Sequence, residues 1–327
     1  MKALAFGMAA LALAGCCTCT KAPCCKDPMI GNWGLKLGYE EMNAGHMIIS
    51  RDADGKAQAL VLWRWASPIP MKNVVVEGRT FSFDHPWGFT VKGHLCGPDF
   101  LKAVAIKTKK GKEGLGETDI IGWRNPKIEP ASTADAKLGE PIDLLKDGLG
   151  GWELMNEKAK NGWSIKEEGG VKILSNKLGL KPNGSWAGGG ANLMTKRADF
   201  YDFNLEYDVR VPAKSNSGVY LRGRYECQVV DSYGQKVNEH NMAAYYGRVV
   251  PKVAAEKKPG EWQHVSVTLY KRHLTVVLNG TTIIENAPVV GITGGAIDAD
   301  EFVPGPIYLQ GDHSDADYKN MILRPAK

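Results

Sequence analysis

Beyond its first 25 residues the chain has almost no cysteine. Five of the seven cysteines fall between Cys16 and Cys25, and only Cys96 and Cys227 lie in the body. A disulfide framework is therefore excluded there, and both body cysteines, flanked by alternating apolar residues, read as buried inert thiols. Charge of one sign is also lacking. Lys and Arg number 41 against 36 Asp and Glu, a net charge of +5 over 327 residues, and no long basic run interleaves with aromatics, which excludes nucleic acid as a partner. No EF-hand glycine spacing, HExxH or P-loop occurs, and no GxGxxG stands in a supporting context, so no cofactor motif is evident. The Gly188-Gly189-Gly190 stretch precedes a strand pattern and reads as close packing or a flexible rim, not a phosphate cradle. Amphipathic helical stretches are missing as well. What is abundant is Gly (38) and Pro (17), punctuating short runs rich in Val, Ile, Tyr and Trp, which predicts an all-β protein.

The amino terminus reads as an address. Met1-Lys2 is followed by an apolar run from Ala3 to Leu13, too short to span a bilayer, and Leu13-Ala14-Gly15-Cys16 resembles a bacterial lipobox. Residues 1–15 are accordingly expected to be a lipoprotein signal peptide. Cys16 is expected to carry the lipid, with residues 16–29 as a Cys-rich tether whose remaining thiols are oxidised or acylated. No Asp follows Cys16, which by resemblance to sorted lipoproteins favours a lipid-anchored place in the cell envelope, at the outer membrane.

From residue 30 to 125, short alternating segments separated by turn signals, Asp54-Gly55 among them, predict a small antiparallel β-barrel of lipocalin or avidin type. Trp33, Trp63, Trp65, Trp87 and Trp123 are expected to fill its interior, with a ligand cup as the alternative. The Lys107 to Lys112 run reads as a solvated hairpin tip. Residues 126–140, poor in large apolar side chains and bounded by prolines, read as a linker. Residues 141–327 alternate again, with Lys271-Arg272 and Asn279-Gly280 as tight turns in a three-strand meander, and predict a two-sheet jelly roll.

Strand parity singles out one surface. In Gly218 to Arg222 and Tyr225 to Val230 the odd positions are apolar, so the even positions Tyr220, Arg222, Glu226 and Gln228 share the other face. An aromatic, a guanidinium, a carboxylate and an amide on adjacent strands form a hydrogen-bonding platform suited to hydroxyl-rich ligands. Asp231 has the opposite parity but stands where the strand ends, able to turn inward.

The segment from Asn216 to Gly234 resembles the signature of the 3-keto-disaccharide hydrolase family. Further pieces recur in order: Ile142-Asp-Leu-Leu with Gly151-Trp152, Asp202 to Glu206, Ala244 to Pro251, Pro259 to Trp262, and Gly305 to His313. The resemblance covers roughly Glu140 to Pro325 and implies a concanavalin-A-like jelly roll acting on 3-keto-glucosides supplied by a separate sugar 3-dehydrogenase. It implies a general base for the C2 proton, assigned to His313 or Glu226, and an enolate stabiliser at O3, assigned to Arg222 with Gln228. Tyr220, Asp231, Tyr246 and Gln310 would bind the sugar. Asp298-Ala-Asp300-Glu301 and Asp312-His-Ser-Asp315-Ala-Asp317 read as solvated acidic turns, with a divalent cation such as Ca²⁺ as the alternative. A noncatalytic carbohydrate-binding lipoprotein is the second reading. A two-carboxylate glycosidase is disfavoured, because Glu226 and Asp231 have mismatched parity.

Overall fold

The structure is a computed structural model that describes residues 27–107 and 117–327. The signal, Cys16, most of the tether, and the tip beyond Lys107 lie outside the described residues. The described residues contain no α-helix, only strands and two short 3-10 turns.

Nine strands form the first sheet: β1 (Gly31–Leu37), β2 (Ala44–Arg51), β3 (Ala57–Trp63), β4 (Ile69–Pro70), β5 (Lys72–Glu77), β6 (Thr80–His85), β7 (Phe89–Leu95), β8 (Phe100–Lys107) and β9 (Thr118–Arg124). They are antiparallel in the order β4-β3-β2-β1-β9-β8-β7-β6-β5. Because β4 and β5 are separated only by Met71, whose N–H donates to Ala59 O at 2.8 Å, the two edges meet and the barrel is nearly closed. Odd residues of β1, β2 and β3 fill it: Trp33, Leu35, Met47, Ile49, Val61 and Trp63 are all buried. Met29 is in this core too, and its carbonyl accepts from Trp33 Nε1.

The remaining strands are β10 (Ile142–Asp143), β11 (Trp152–Leu154), β12 (Trp163–Glu168), β13 (Val171–Asn176), β14 (Leu193–Thr195), β15 (Phe203–Arg210), β16 (Asn216–Leu221), β17 (Tyr225–Val230), β18 (Gln263–Tyr270), β19 (His273–Leu278), β20 (Thr281–Pro288), β21 (Tyr308–Leu309) and β22 (Ala316–Pro325). One sheet runs β12-β13-β22-β15-β18-β19-β20, with β10 also paired to β22, and the other runs β11-β14-β21-β16-β17. Their inner faces share one core that includes Leu205, Val219, Cys227, Val267 and Leu323. This is the jelly roll that the alternation predicts. The meander turns are as expected, with Lys271 and Arg272 at φ 46° and 59° and Asn279 and Gly280 at 50° and 82°, the left-handed pair that a two-residue hairpin loop requires.

The barrel and the jelly roll pack on each other. Even residues of β2 and β3 point out of the barrel, yet Ala44 and Leu62 are fully buried because the jelly-roll core covers them. Burying a leucine there contributes roughly 1.5–3 kcal/mol. Polar contacts add to the join: Asn125 Nδ2 donates to Glu301 Oε1 at 2.5 Å, and Arg272 Nη1 to Pro126 O at 3.2 Å. Glu301 also takes Tyr225 Oη at 3.1 Å and Arg272 at 3.3 Å.

Candidate active site

β16 and β17 pair with Val219 opposite Cys227 and Tyr220 opposite Glu226, so the odd positions enter the core and the even ones face away from it. That even face is covered rather than solvated. Tyr220, Glu226 and Gln228 are each at most 3% exposed and stand in a cleft of about 530 Å³ shared with Asn216, Tyr246, Tyr308, Gln310, Asp312 and His313. Tyr220 and Tyr308 stack at 4.2 Å and form an aromatic part of the lining. Six of the eight sequence-derived catalytic and sugar-binding positions thus converge: Tyr220, Glu226, Gln228, Tyr246, Gln310 and His313.

Two do not. Arg222 stands one residue past the end of β16 at φ 53°, and that left-handed step turns its side chain away from the even face. Its guanidinium lies over Tyr201 at 4.5 Å and donates to Tyr225 Oη at 3.3 Å and to Glu301 O, on the side of the interdomain polar cluster. Arg222 therefore stands outside the cleft lining and is not placed to stabilise an enolate there. Asp231 accepts the Lys214 N–H at 2.9 Å and ties down the turn before β16, outside the cleft lining. The acidic turns also differ from expectation, because several of their carboxylates are occupied inside the protein rather than solvated. Asp298 makes a bidentate pair with Arg224 at 2.8 and 2.7 Å, Asp315 accepts the N–H groups of Leu178 and Gly179, and Asp317 takes Ser175, Lys166 and Arg210. Among the described residues no group of three or more His, Cys, Asp or Glu side chains could hold a metal ion. Cys227 is a buried thiol pushed up to about 12 by burial, as its flanks suggest. Cys96, by contrast, is exposed.

The electrostatics centre on Glu226. Burial first, and the nearby Asp312 charge second, push its carboxyl up to about 8, against the opposing hydrogen bond with Tyr220. The hydrogen bonding agrees. Tyr220 Oη lies 2.9 Å from Glu226 Oε2 and 2.7 Å from Gly294 O, but has one proton to give. Both contacts are satisfied when Tyr220 donates to the carbonyl and a protonated Glu226 donates to Tyr220 Oη. At the half-exposed rim His313 Nδ1 lies 2.6 Å from Asp312 Oδ1, and that bond raises the imidazole above its ordinary value.

The amides are aimed by the backbone. Gln228 Oε1 accepts the Val229 N–H at 2.8 Å, which frees its NH₂ for the cleft. Asn216 Oδ1 and Gln310 Oε1 are buried and have no protein partner. An unmet buried acceptor costs about 1–3 kcal/mol unless something donates to it, and two such acceptors on one wall suit a ligand rich in hydroxyls.

A family model described as the 3-keto-alpha-glucoside-1,2-lyase-like domain matches residues 144–324. The chain belongs to this family. Membership makes it a carbohydrate-active protein and the cleft its candidate active site. Similar solved structures include a protein of Parabacteroides distasonis ATCC 8503 that carries a glycosyl hydrolase name, at 22% identity, covering 62% of this chain and 93% of that one with a TM-score of 0.42. The carbohydrate-binding module CBM66 of Bacillus subtilis aligns at 17% identity over 53% of this chain and 95% of its own, TM-score 0.33. SCLam, a non-specific endo-beta-1,3(4)-glucanase of family GH16, aligns at 12% identity over 61% and 93%, TM-score 0.37. Among curated proteins none matches the chain.

Sequence reasoning missed several contributors to the cleft, among them Tyr308, Asn192, Met42 and Trp65. Tyr308 and Asn192 come from β21 and the residue before β14, where short strands show too few residues for parity to be read. Met42 and Trp65 come from the barrel. A signal for the latter existed: Ala59-Leu-Val-Leu-Trp63 does not alternate, and an unbroken apolar strand has both faces buried, so something had to cover the barrel beside Trp65.

Proposed function

We propose that the protein cleaves glucosides whose C3 hydroxyl has already been oxidised to a ketone, by elimination across C2 and C1, followed by hydration. The observation that carries this reading is Glu226, a buried carboxyl raised to about 8 on the wall of a hydroxyl-matched cleft. A base with a pKa near the working pH is matched to removing a proton from carbon next to a carbonyl. In its ionised form Glu226 takes the C2 proton, and the C–H electron pair becomes the C2–C3 double bond of an enolate with its charge on O3. The Gln228 NH₂ and the Tyr246 hydroxyl stabilise that charge in place of Arg222. The enolate then reforms the ketone as the C1–O bond breaks. His313, whose imidazole the Asp312 hydrogen bond raises above its ordinary value, gives the departing oxygen its proton. Water adding at C1, with a proton returned to C2, completes a net hydrolysis.

The substrate must come from a reaction that oxidises a sugar at C3, the work of a separate dehydrogenase. We place the protein in the bacterial cell envelope, anchored through a lipid on Cys16, from the Leu13 to Cys16 sequence. The test uses protein lacking the first 25 residues, incubated with a 3-keto-glucoside and with its unoxidised parent. Cleavage of the ketone alone, abolished by Glu226→Gln and reduced by His313→Ala, is expected. It should persist in EDTA, because the acidic turns use their carboxylates within the protein. Binding without cleavage would favour a noncatalytic carbohydrate-binding protein, and equal cleavage of both substrates would overturn the elimination route.

A further inference from the structure

The barrel sends the Arg64–Ser67 loop into the cleft, beside Met42 of the loop before β2. Arg64 and Ala66 both hold left-handed backbone, φ 68° and 64°, a conformation that costs free energy for residues with a Cβ and persists only where the surroundings dictate it. Here they do. Arg64 O accepts the Gly295 N–H at 2.9 Å, and Ser67 Oγ lies 2.6 Å from His240 Nε2. Three jelly-roll glycines clear the space: a Cβ at Gly294 would stand 2.4 Å from Ala66 O, one at Gly247 2.6 Å from Ser67 Oγ, and one at Gly295 2.8 Å from Tyr220 Oη. The Arg64 guanidinium is centred 3.9 Å from the Tyr39 ring and 4.0 Å from the Trp65 ring, while its Nε donates to Met42 O at 2.8 Å. The indole of Trp65 is thereby braced on one face, yet the residue remains 39% exposed at the cleft while Tyr220 and Tyr308 in the same cleft are 1% exposed.

We propose that the Arg64–Ser67 loop is a specificity-determining wall of the cleft, with the open face of Trp65 stacking on the leaving group of the glycoside. The inference rests on the reading above for which group leaves. Trp65 of the barrel and His313 of the jelly roll are exposed members of a lining whose Glu226 and Tyr220 are buried, so a glycosyl ring seated on the buried pair would carry its C1 substituent toward them. A rigid, pre-positioned ring offers apolar contact at low conformational cost and favours flat leaving groups, an aryl ring or the face of a second sugar. Residue 65 lies outside the family match, which begins at residue 144, so this selectivity belongs to the barrel and not to the matched domain.

The test compares wild type, Trp65→Ala and Trp65→Phe, all starting after Cys25 and checked for unchanged melting, on methyl and 4-nitrophenyl 3-keto-glucosides. Trp65→Ala is expected to lower kcat/KM for the aryl ketone about tenfold while leaving the methyl ketone within about twofold, with Trp65→Phe recovering most of the loss. Equal losses on both substrates, or none, would overturn the proposal. Calorimetric titration with the same two ketones separates it from the reading beneath it. If wild type binds them without turnover, the elimination route fails while the aryl-to-methyl ratio of Kd still reports on Trp65. If wild type binds neither, both fall.

Discussion

Replacing Glu226 with Gln should remove activity and stabilise the fold, and the second effect has a pH signature. An unfolded glutamate titrates near 4.5, whereas the buried Glu226 titrates at about 8. The folded-state value is the higher one. Above pH 4.5 the unfolded chain binds fewer protons than the native one, so this residue makes folding less favourable as pH rises toward 8. Integrating between the two values, its cost is under about 1 kcal/mol at pH 5, about 3 at pH 7 and about 4 at pH 8. Glutamine carries no charge, and its NH₂ can donate to Tyr220 Oη as the protonated carboxyl does, while Tyr220 still serves Gly294 O. Glu226→Gln should therefore melt several degrees above wild type at pH 8, at about 2–4 °C per kcal/mol for a unit of this size. The gain should shrink to near nothing at pH 5. Scanning calorimetry of the two proteins from pH 5 to 8 measures it. A gain independent of pH, or a loss at pH 8, would refute a raised carboxyl, and retained turnover would remove Glu226 from catalysis.

Three further outcomes are expected. His85 is buried, stacks on Phe89 at 4.3 Å, and is lowered by burial to about 4. The stability it protects is present above its unfolded value near 6.5 and is lost as pH falls toward 4, about 2 kcal/mol between pH 7 and pH 5. His85→Phe should flatten that part of the acid sensitivity in urea melts, and an unchanged slope would contradict it. Gly294→Ala forces the Ala66 backbone to move and should cost about 1–3 kcal/mol together with most of the activity. Gly280→Ala, left-handed at φ 82° but in open space, should cost about 1 kcal/mol and leave kcat/KM unchanged, so equal activity losses in the two variants would argue against a wall at Ala66. Cys16→Ser should abolish incorporation of labelled palmitate and release the protein from the membrane fraction, and persistent labelling would reassign the lipid.

Within strands the sequence was a good guide, because a period of two leaves no choice of face. Val219, Leu221, Tyr225, Cys227 and Val229 are buried in the core as their parity requires, and Tyr220, Glu226 and Gln228 follow on the other side. Parity fails at Arg222 because it ends with the strand, and one left-handed residue is enough to send a side chain elsewhere. It failed at Asp231 for a related reason: the residue follows β17 and is claimed by the Lys214 amide. Trp33 and Trp63 fill the barrel as expected, whereas Trp65 escapes it because the chain turns left-handed at Arg64 immediately after β3, Trp87 is exposed, and Trp123 packs against the jelly-roll core instead. Burial of Glu301 and Asp317 was invisible in sequence, since the arginines and amides that donate to them lie up to 176 residues away.

The position of β22 sets the order in which this molecule can be assembled. β22 lies between β13 and β15 and also pairs with β10, and its Tyr318, Met321 and Leu323 are wholly enclosed. Every other described strand of the jelly roll leaves the ribosome before it. Until it arrives, β10, β12-β13 and β15-β18-β19-β20 are separate pieces with unpaired edges, and closing them is a slow, non-local step. Until β22 is in place, the half of the chain that carries the cleft stays open, while the barrel, complete by Arg124, is free to form first.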